Sequence, residues 1–225
     1  MLVLGHRGVM GEGPTENTMA AFKAAADLGV DGIETDVRLT ADGRLVLFHD
    51  RLAANGEPVA ELTHAELAAA EGEAVPGLAE ALAAWPELLW NLEVKAPEAM
   101  GPLRALLAAG EWPRVVVSSF FHNAIHAQAG ARPWPLGLIL GYRPVSVDGL
   151  LREWLQRPPD YCVWRMEHAD GEVLAALAER GVRNLLYDVH TWADLHQAAA
   201  WDVAGVIMDQ PELALEKRAQ AAPGN

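Results

Sequence analysis

The chain has 225 residues, of which 51% are hydrophobic, with one cysteine and a formal charge of −14 from 17 basic and 31 acidic side chains. That composition is ordinary for a globular protein with room for one large core, and it excludes an internal disulfide. A surface this acidic repels nucleic acid and anionic lipid, so neither is an expected partner.

Strand and helix signals alternate along the chain. The segment 2–5 is a short apolar run that leads straight into His6-Arg7-Gly8. It has neither a basic stretch nor a long apolar one, so a standard secretory signal is not expected and a cytoplasmic location is. The stretch 18–28 has helical spacing and is closed by Gly29. Residues 32–39 read as a strand carrying Glu34 and Asp36, and Asp42-Gly43 predicts a tight hairpin into a strand over 45–48, which ends at His49-Asp50. Residues 51–73 form a short polar insertion at the strand-exit end, placed to act as a lid or pocket wall.

From there helical stretches at 78–85, 103–109, 173–180 and 193–201 alternate with strands at 89–94, 115–119, 136–140, 161–165, 184–189 and 205–208. Gly110, Gly130 and Gly181 stand where helix C-terminal caps would. Several strands are apolar throughout, as in a parallel sheet covered by helices. About eight such units in this length predict a (β/α)8 TIM barrel, a single domain over 1–225 with its short insertion at 51–73 after the second strand. An open doubly wound sheet is the competing architecture, but the G-x-G-x-x-G turn often found in such sheets is absent. No apolar run approaches the roughly 18 residues of a membrane helix, so no stable membrane anchoring is expected.

The chemistry concentrates at strand ends. Glu34 and Asp36 are two apart on a strand and leave the same face; Glu93, near the end of another, can supply a third oxygen ligand. Three carboxylates would repel one another unless a hard divalent cation joined them, and all-oxygen coordination selects Mg²⁺, Ca²⁺ or Mn²⁺ over zinc. A solvated pair on an edge strand is the plain alternative, which the apolar residues around Glu34 and Asp36 disfavour. His6 and His49 stand where they can exchange protons near neutral pH, although a lone strand-end histidine is more often structural. His64, His122, His126, His168, His190 and His196 are explained by solvated polar positions. Arg7 and Lys95 suit phosphate contact, with Glu16 as an alternative partner that orients Arg7. For Asn17, capping of the following helix is the expected role. Cys162, in an apolar-aromatic run, is expected to be buried and structural. Metal-assisted attack on a phosphodiester needs this set of groups.

These residues resemble the glycerophosphodiester phosphodiesterase family. Its H-R-G opening and P-E-N-T segment are similar to His6-Arg7-Gly8 and Pro14-Thr15-Glu16-Asn17-Thr18, with Thr15 intervening. Its I-E-x-D-V-x-x-T-x-D-G-x-x-V-x-x-H-D pattern is met by Ile33-Glu34-Thr35-Asp36-Val37, Thr40, Asp42-Gly43, Val46 and His49-Asp50. Its P-T-L-x-E-x-L start resembles the run from Pro76 to Leu82, with Gly77 in place of threonine. Asn91, Glu93 and Lys95 match N-x-E-x-K; Ser118-Ser119-Phe120 match S-S-F; Asp209 and Pro211 match the late D-x-P. The W-T-V-N strand is the weakest match, reading Tyr187-Asp188-Val189-His190 here.

The resemblance implies a TIM barrel enzyme that hydrolyses glycerophosphodiesters to sn-glycerol 3-phosphate and an alcohol, with one divalent cation, Mg²⁺ or Ca²⁺ and Mn²⁺ as a further option. By position Glu34, Asp36 and Glu93 would be metal ligands, His6 and His49 the acid–base pair, and Arg7, Lys95 and Phe120 substrate contacts. The implied partner is a small-molecule glycerophosphodiester. A lysophospholipid substrate, with Trp112, Trp134 and Trp164 lining an acyl pocket, and a catalytically silent binding module are the alternatives. Nothing in the sequence sets an oligomeric state.

Overall fold

The computed structural model describes residues 1–9, 15–112, 114–130, 134–152, 154 and 157–221; Pro14 of the second motif lies outside them. Among the described residues nine strands form: β1 (Leu2–His6), β2 (Gly32–Leu39), β3 (Leu45–Leu47), β4 (Leu89–Val94), β5 (Val115–Ser119), β6 (Leu136–Leu140), β7 (Tyr161–Arg165), β8 (Arg183–Tyr187) and β9 (Gly205–Met208). Eight are parallel in the order β1-β9-β8-β7-β6-β5-β4-β2, and a β1–β2 pairing closes the ring. That closure decides between the two architectures: this is a (β/α)8 barrel. β3 is antiparallel to β2 at its outer end. It is joined through a turn in which Gly43 donates to the Thr40 carbonyl at 2.9 Å.

The described helices are α1 (Met19–Leu28), α2 (His64–Glu71), α3 (Leu78–Ala84), α4 (Met100–Ala109), α5 (His122–His126), α6 (Val147–Leu151), α7 (Gly171–Ala178), α8 (Trp192–Ala200) and α9 (Glu212–Ala221). Gly29 caps α1 in the left-handed conformation, whereas Gly110 ends α4 with extended backbone. None of these helices is long and apolar enough to cross a membrane.

Strand periodicity positions the site. Alternate residues of each barrel strand face the interior. At the bottom they are apolar: Leu4, Leu89, Val116, Ile139, Tyr161, Val163, Leu185 and Ile207 make one buried cluster. Two residues further along the same faces stand His6, Asn91, Ser118, Tyr187 and Asp209, and four further along β4 stands Glu93. These strands thus turn from hydrophobic to polar as they near their C-terminal ends, where barrels carry their chemistry. The opposite faces pack on the helices in the main core, with Phe22 edge-on to Trp90 at 5.3 Å between ring centroids.

The insertion expected as a lid or pocket wall contributes to a small core of its own. Val46, Ala53, Val59, Leu62, Leu67 and Val75 bury one another as a satellite core. Thr63 and Glu66 form a reciprocal capping box at the start of α2. Cys162 is fully buried, and burial pushes its thiol up to about 12, so it is an inert packing residue. The three tryptophans proposed for an acyl pocket lie elsewhere. Trp164 is in the core, donating to Asn184 Oδ1 at 3.1 Å, Trp134 is buried, and Trp112 packs on the main core.

Candidate active site

The β1–α1 connection needs glycine at its turning point. Gly8 has φ +96°, and a Cβ there would meet the Ala21 backbone at 2.6 Å. This close seating on α1 folds Arg7 and Asn17 (φ 56° and 55°) back over the barrel mouth. Both are left-handed non-glycine residues, a conformation that persists only where surrounding contacts hold it. Arg7 Nη1 donates to Glu16 Oε1 at 2.8 Å, and its Nε stands 3.1 Å from Asp36 Oδ2.

Asn17 does not cap α1. Thr18 does, its side chain accepting from the Ala21 N–H. Asn17 is buried instead, with Nδ2 donating to Asp36 Oδ2 at 2.9 Å and Oδ1 accepting from Thr35 Oγ1 at 2.6 Å. Proximity to a helix start suggested a cap; the positive φ turns the side chain inward to hold a carboxylate.

Glu34, Asp36 and Glu93 converge. Each offers an oxygen within 4.8 Å of those of the other two. The register explains why, since β2 and β4 place Asp36 directly beside Glu93, while β1 and β2 place His6 beside Glu34. Lys95 Nζ lies 2.7 Å from Glu93 Oε1 and 3.4 Å from Asp36 Oδ1. Three buried carboxylates therefore face two cations, Arg7 and Lys95, which leaves negative charge in excess.

The consequences are uneven. Burial, reinforced by the Asp36 and Glu93 charges, pushes the Glu34 carboxyl up to about 8. Burial also raises Glu93. Burial acts the same way on Asp36, but the Lys95 and Arg7 charges and the Asn17 hydrogen bond outweigh it and hold the group low. A buried, all-oxygen donor set of three converging carboxylates with surplus negative charge fits a hard divalent cation.

The two histidines flank this cluster. His6 Nδ1 bonds Asp209 Oδ1 at 2.5 Å, and its Nε2 stands 3.8 Å from Glu34 Oε2. Burial depresses the His6 imidazole, but Asp209 and Glu34 more than offset it, so its pKa is raised. His49 follows β3; its Nδ1 bonds Asp50 Oδ1 at 2.8 Å. Arg38 fixes that segment, Nε and Nη2 both donating to the His49 carbonyl at 3.0 and 2.7 Å.

His6, Arg7, Glu34, His49, Glu93, Lys95 and Phe120 line one cavity of about 200 Å³, together with Asn91, Tyr187, Asp188 and the apolar Ile139, Val163 and Ile207. Asp36 sits just beneath, 1% exposed. The end of the insertion, Glu71 and Glu73, reaches a neighbouring cavity, which shares His49. Among the histidines set aside, His64 and His122 are half-buried and bonded to the Val75 and Ile139 carbonyls, a structural rather than a solvated role. Asp188, where the family strand reads differently, accepts from Arg165 Nε at 2.6 Å, so its charge is matched locally. Sequence reasoning gave no role to Asp209 or Arg38; their signal was strand parity, since they lie two residues beyond Ile207 and Asp36 on the same faces.

Comparison with known proteins agrees with this geometry. Residues 6–111 match the sequence model of the glycerophosphoryl diester phosphodiesterase family. A glycerophosphodiester phosphodiesterase of Caldanaerobacter subterraneus subsp. tengcongensis is 30% identical over an alignment covering 94% of this chain and 95% of that protein. The crystal structure of a glycerophosphodiester phosphodiesterase from Thermotoga maritima superposes with a TM-score of 0.85 at 22% identity, covering 97% of this chain and 99% of the other. An Oleispira antarctica phosphodiesterase, solved in complex with the product sn-glycerol-3-phosphate, does so with a TM-score of 0.83 at 21% identity, covering 98% and 97%. With the full-length relative and the strand-end motifs in agreement, this chain belongs to the glycerophosphodiester phosphodiesterase family of enzymes.

Proposed function

We propose that the protein hydrolyses glycerophosphodiesters to sn-glycerol 3-phosphate and an alcohol, with one divalent cation, Mg²⁺ or Ca²⁺ and Mn²⁺ as a further option, held by Glu34, Asp36 and Glu93. The observation that carries this reading is the meeting of three buried carboxylates, oxygens within 4.8 Å, beside two imidazoles in one cavity. The names of the relatives, and the product held by the Oleispira antarctica protein, support the substrate class.

When bound, the cation supplies Lewis-acid polarisation and lowers the pKa of a hydroxyl at the site. The protein's own groups do the rest. Arg7, as a fork, and Lys95, as a point charge, balance the phosphate. Phe120 and Tyr187 wall the cavity and limit how the substrate lies. Of His6 and His49, one takes the proton of the attacking hydroxyl as the new P–O bond forms. The other protonates the departing alkoxide as the old P–O bond breaks. With the adjacent glycerol hydroxyl attacking, the first product is a cyclic phosphate, which water opens to sn-glycerol 3-phosphate by the same exchange of protons.

Purified protein supplied with Mg²⁺, Ca²⁺ or Mn²⁺ should release sn-glycerol 3-phosphate from glycerophosphocholine and glycerophosphoethanolamine. His6→Ala or His49→Ala should lower kcat by about 10²–10⁴. No release from either substrate with any of the three cations would refute the proposal.

One observation favours a second reading, an acyl-bearing lysophospholipid substrate. Large apolar side chains stay exposed after β5 and β6, namely Phe120, Phe121, Tyr142 and Val145, and Phe120 also belongs to the cavity wall. Turnover of lysophosphatidylcholine equal to or better than that of glycerophosphocholine would establish it; turnover lower by a hundred-fold would dismiss it.

A further inference from the structure

Asn91 stands on β4 directly beside Glu34 of β2 and is 1% exposed. Its Nδ2 and Glu34 Oε2 are both buried without a hydrogen-bond partner among the described residues, and both residues line the same cavity. Ser118 Oγ donates to Asn91 Oδ1 at 2.9 Å, which leaves the NH₂ as the end of the amide without a partner. The flipped amide would turn its carbonyl towards carboxylates, acceptor against acceptor, so the donor-inward orientation is the stable one. An unmet buried donor is costly, and here it belongs to a residue that lines the space a ligand would fill.

Resting on the function proposed above, we infer that Asn91 donates to a free hydroxyl of the substrate's glycerol moiety and so makes the site selective for the polyol. The neighbour of the amide decides which ligand atom suits it. An anionic phosphate oxygen would be repelled by the Glu34 carboxylate and drawn to Arg7 and Lys95. A hydroxyl oxygen can accept from Asn91 Nδ2 while its own proton goes to Glu34 Oε2, satisfying both unpartnered atoms. A carboxylate has two acceptor oxygens, so this use of Oε2 is compatible with Glu34 as a cation ligand. Ser118 is the positioning residue, because it sets which end of the amide the ligand meets.

The test is binding, measured calorimetrically on wild type, Asn91→Leu and Ser118→Ala with Mg²⁺ present. The probes are sn-glycerol 3-phosphate and n-propyl phosphate, which differ only in the two hydroxyls. Wild type should prefer the glycerol ester by about ten-fold, the worth of one well-made buried hydrogen bond. Asn91→Leu should bring the preference within about two-fold while Mg²⁺ binding persists. Ser118→Ala, which removes no group that faces the ligand, should at least halve the preference and carries the test if Asn91→Leu does not fold. A preference unchanged in the variants, or lost together with Mg²⁺ binding, would overturn the inference. A wild type that shows the preference yet hydrolyses no glycerophosphodiester would sink the proposed reaction and leave this binding role standing.

Discussion

His6 and His49 both bind a carboxylate through Nδ1 and both line the cavity, but their surroundings differ. Asp209 is half-buried and fixes His6 from β9's end, whereas Asp50 is 73% exposed at its side chain and next to His49 in sequence. A half-shielded carboxylate that sets the tautomer of an imidazole matters more than an exposed one that competes with water. Asp209→Asn should therefore lower kcat by about a hundred-fold, with KM within about three-fold and the thermal midpoint nearly unchanged. Steady-state kinetics beside a thermal melt checks this; an equal loss of kcat and stability would make Asp209 merely structural. At this scale much was legible. The carboxylates, the histidines and Arg7 and Lys95 were all visible, because charged residues that interrupt apolar strands need a reason to be there. The jobs of Asn17 and Asn91 were not, because they depend on a left-handed φ and on neighbours supplied by other strands.

At the scale of elements, the β2–β3 hairpin presents His49, and Arg38 holds its backbone. Glu34, Asp36 and Arg38 share a face of β2, so the strand that brings carboxylates to the cavity also sends a guanidinium to the His49 carbonyl. Arg38→Ala should leave the barrel folded and lower kcat by roughly ten-fold, with faster amide exchange confined to residues 48–50. Unchanged kcat and exchange would mean that the hairpin alone positions His49. Strands were the most readable elements, since buried parallel strands announce themselves as short β-branched runs between glycines and helices. The short helices α5 and α6 were hidden by their five-residue lengths, and α9 by its mixed composition, Glu-Leu-Ala-Leu-Glu-Lys-Arg-Ala-Gln-Ala, which shows no clean apolar stripe. α9 is nevertheless anchored, because Arg218 pairs with Asp31, whose carboxylate also accepts from the Val3 N–H.

For the molecule as a whole, the question is how a chain of charge −14 handles an anionic substrate. Long-range attraction would run the wrong way, so under the proposed reaction affinity would be made locally, where Arg7, Lys95 and the proposed cation would reverse the sign of the field. The most direct test is titration of Mg²⁺ into protein stripped with EDTA and dialysed, with turnover of glycerophosphocholine followed at each addition. One ion should bind per chain, turnover should rise from background in proportion to occupancy, and Glu34→Gln should weaken both together. Full turnover by the stripped protein, or saturation of Glu34→Gln at the wild-type concentration, would contradict the account.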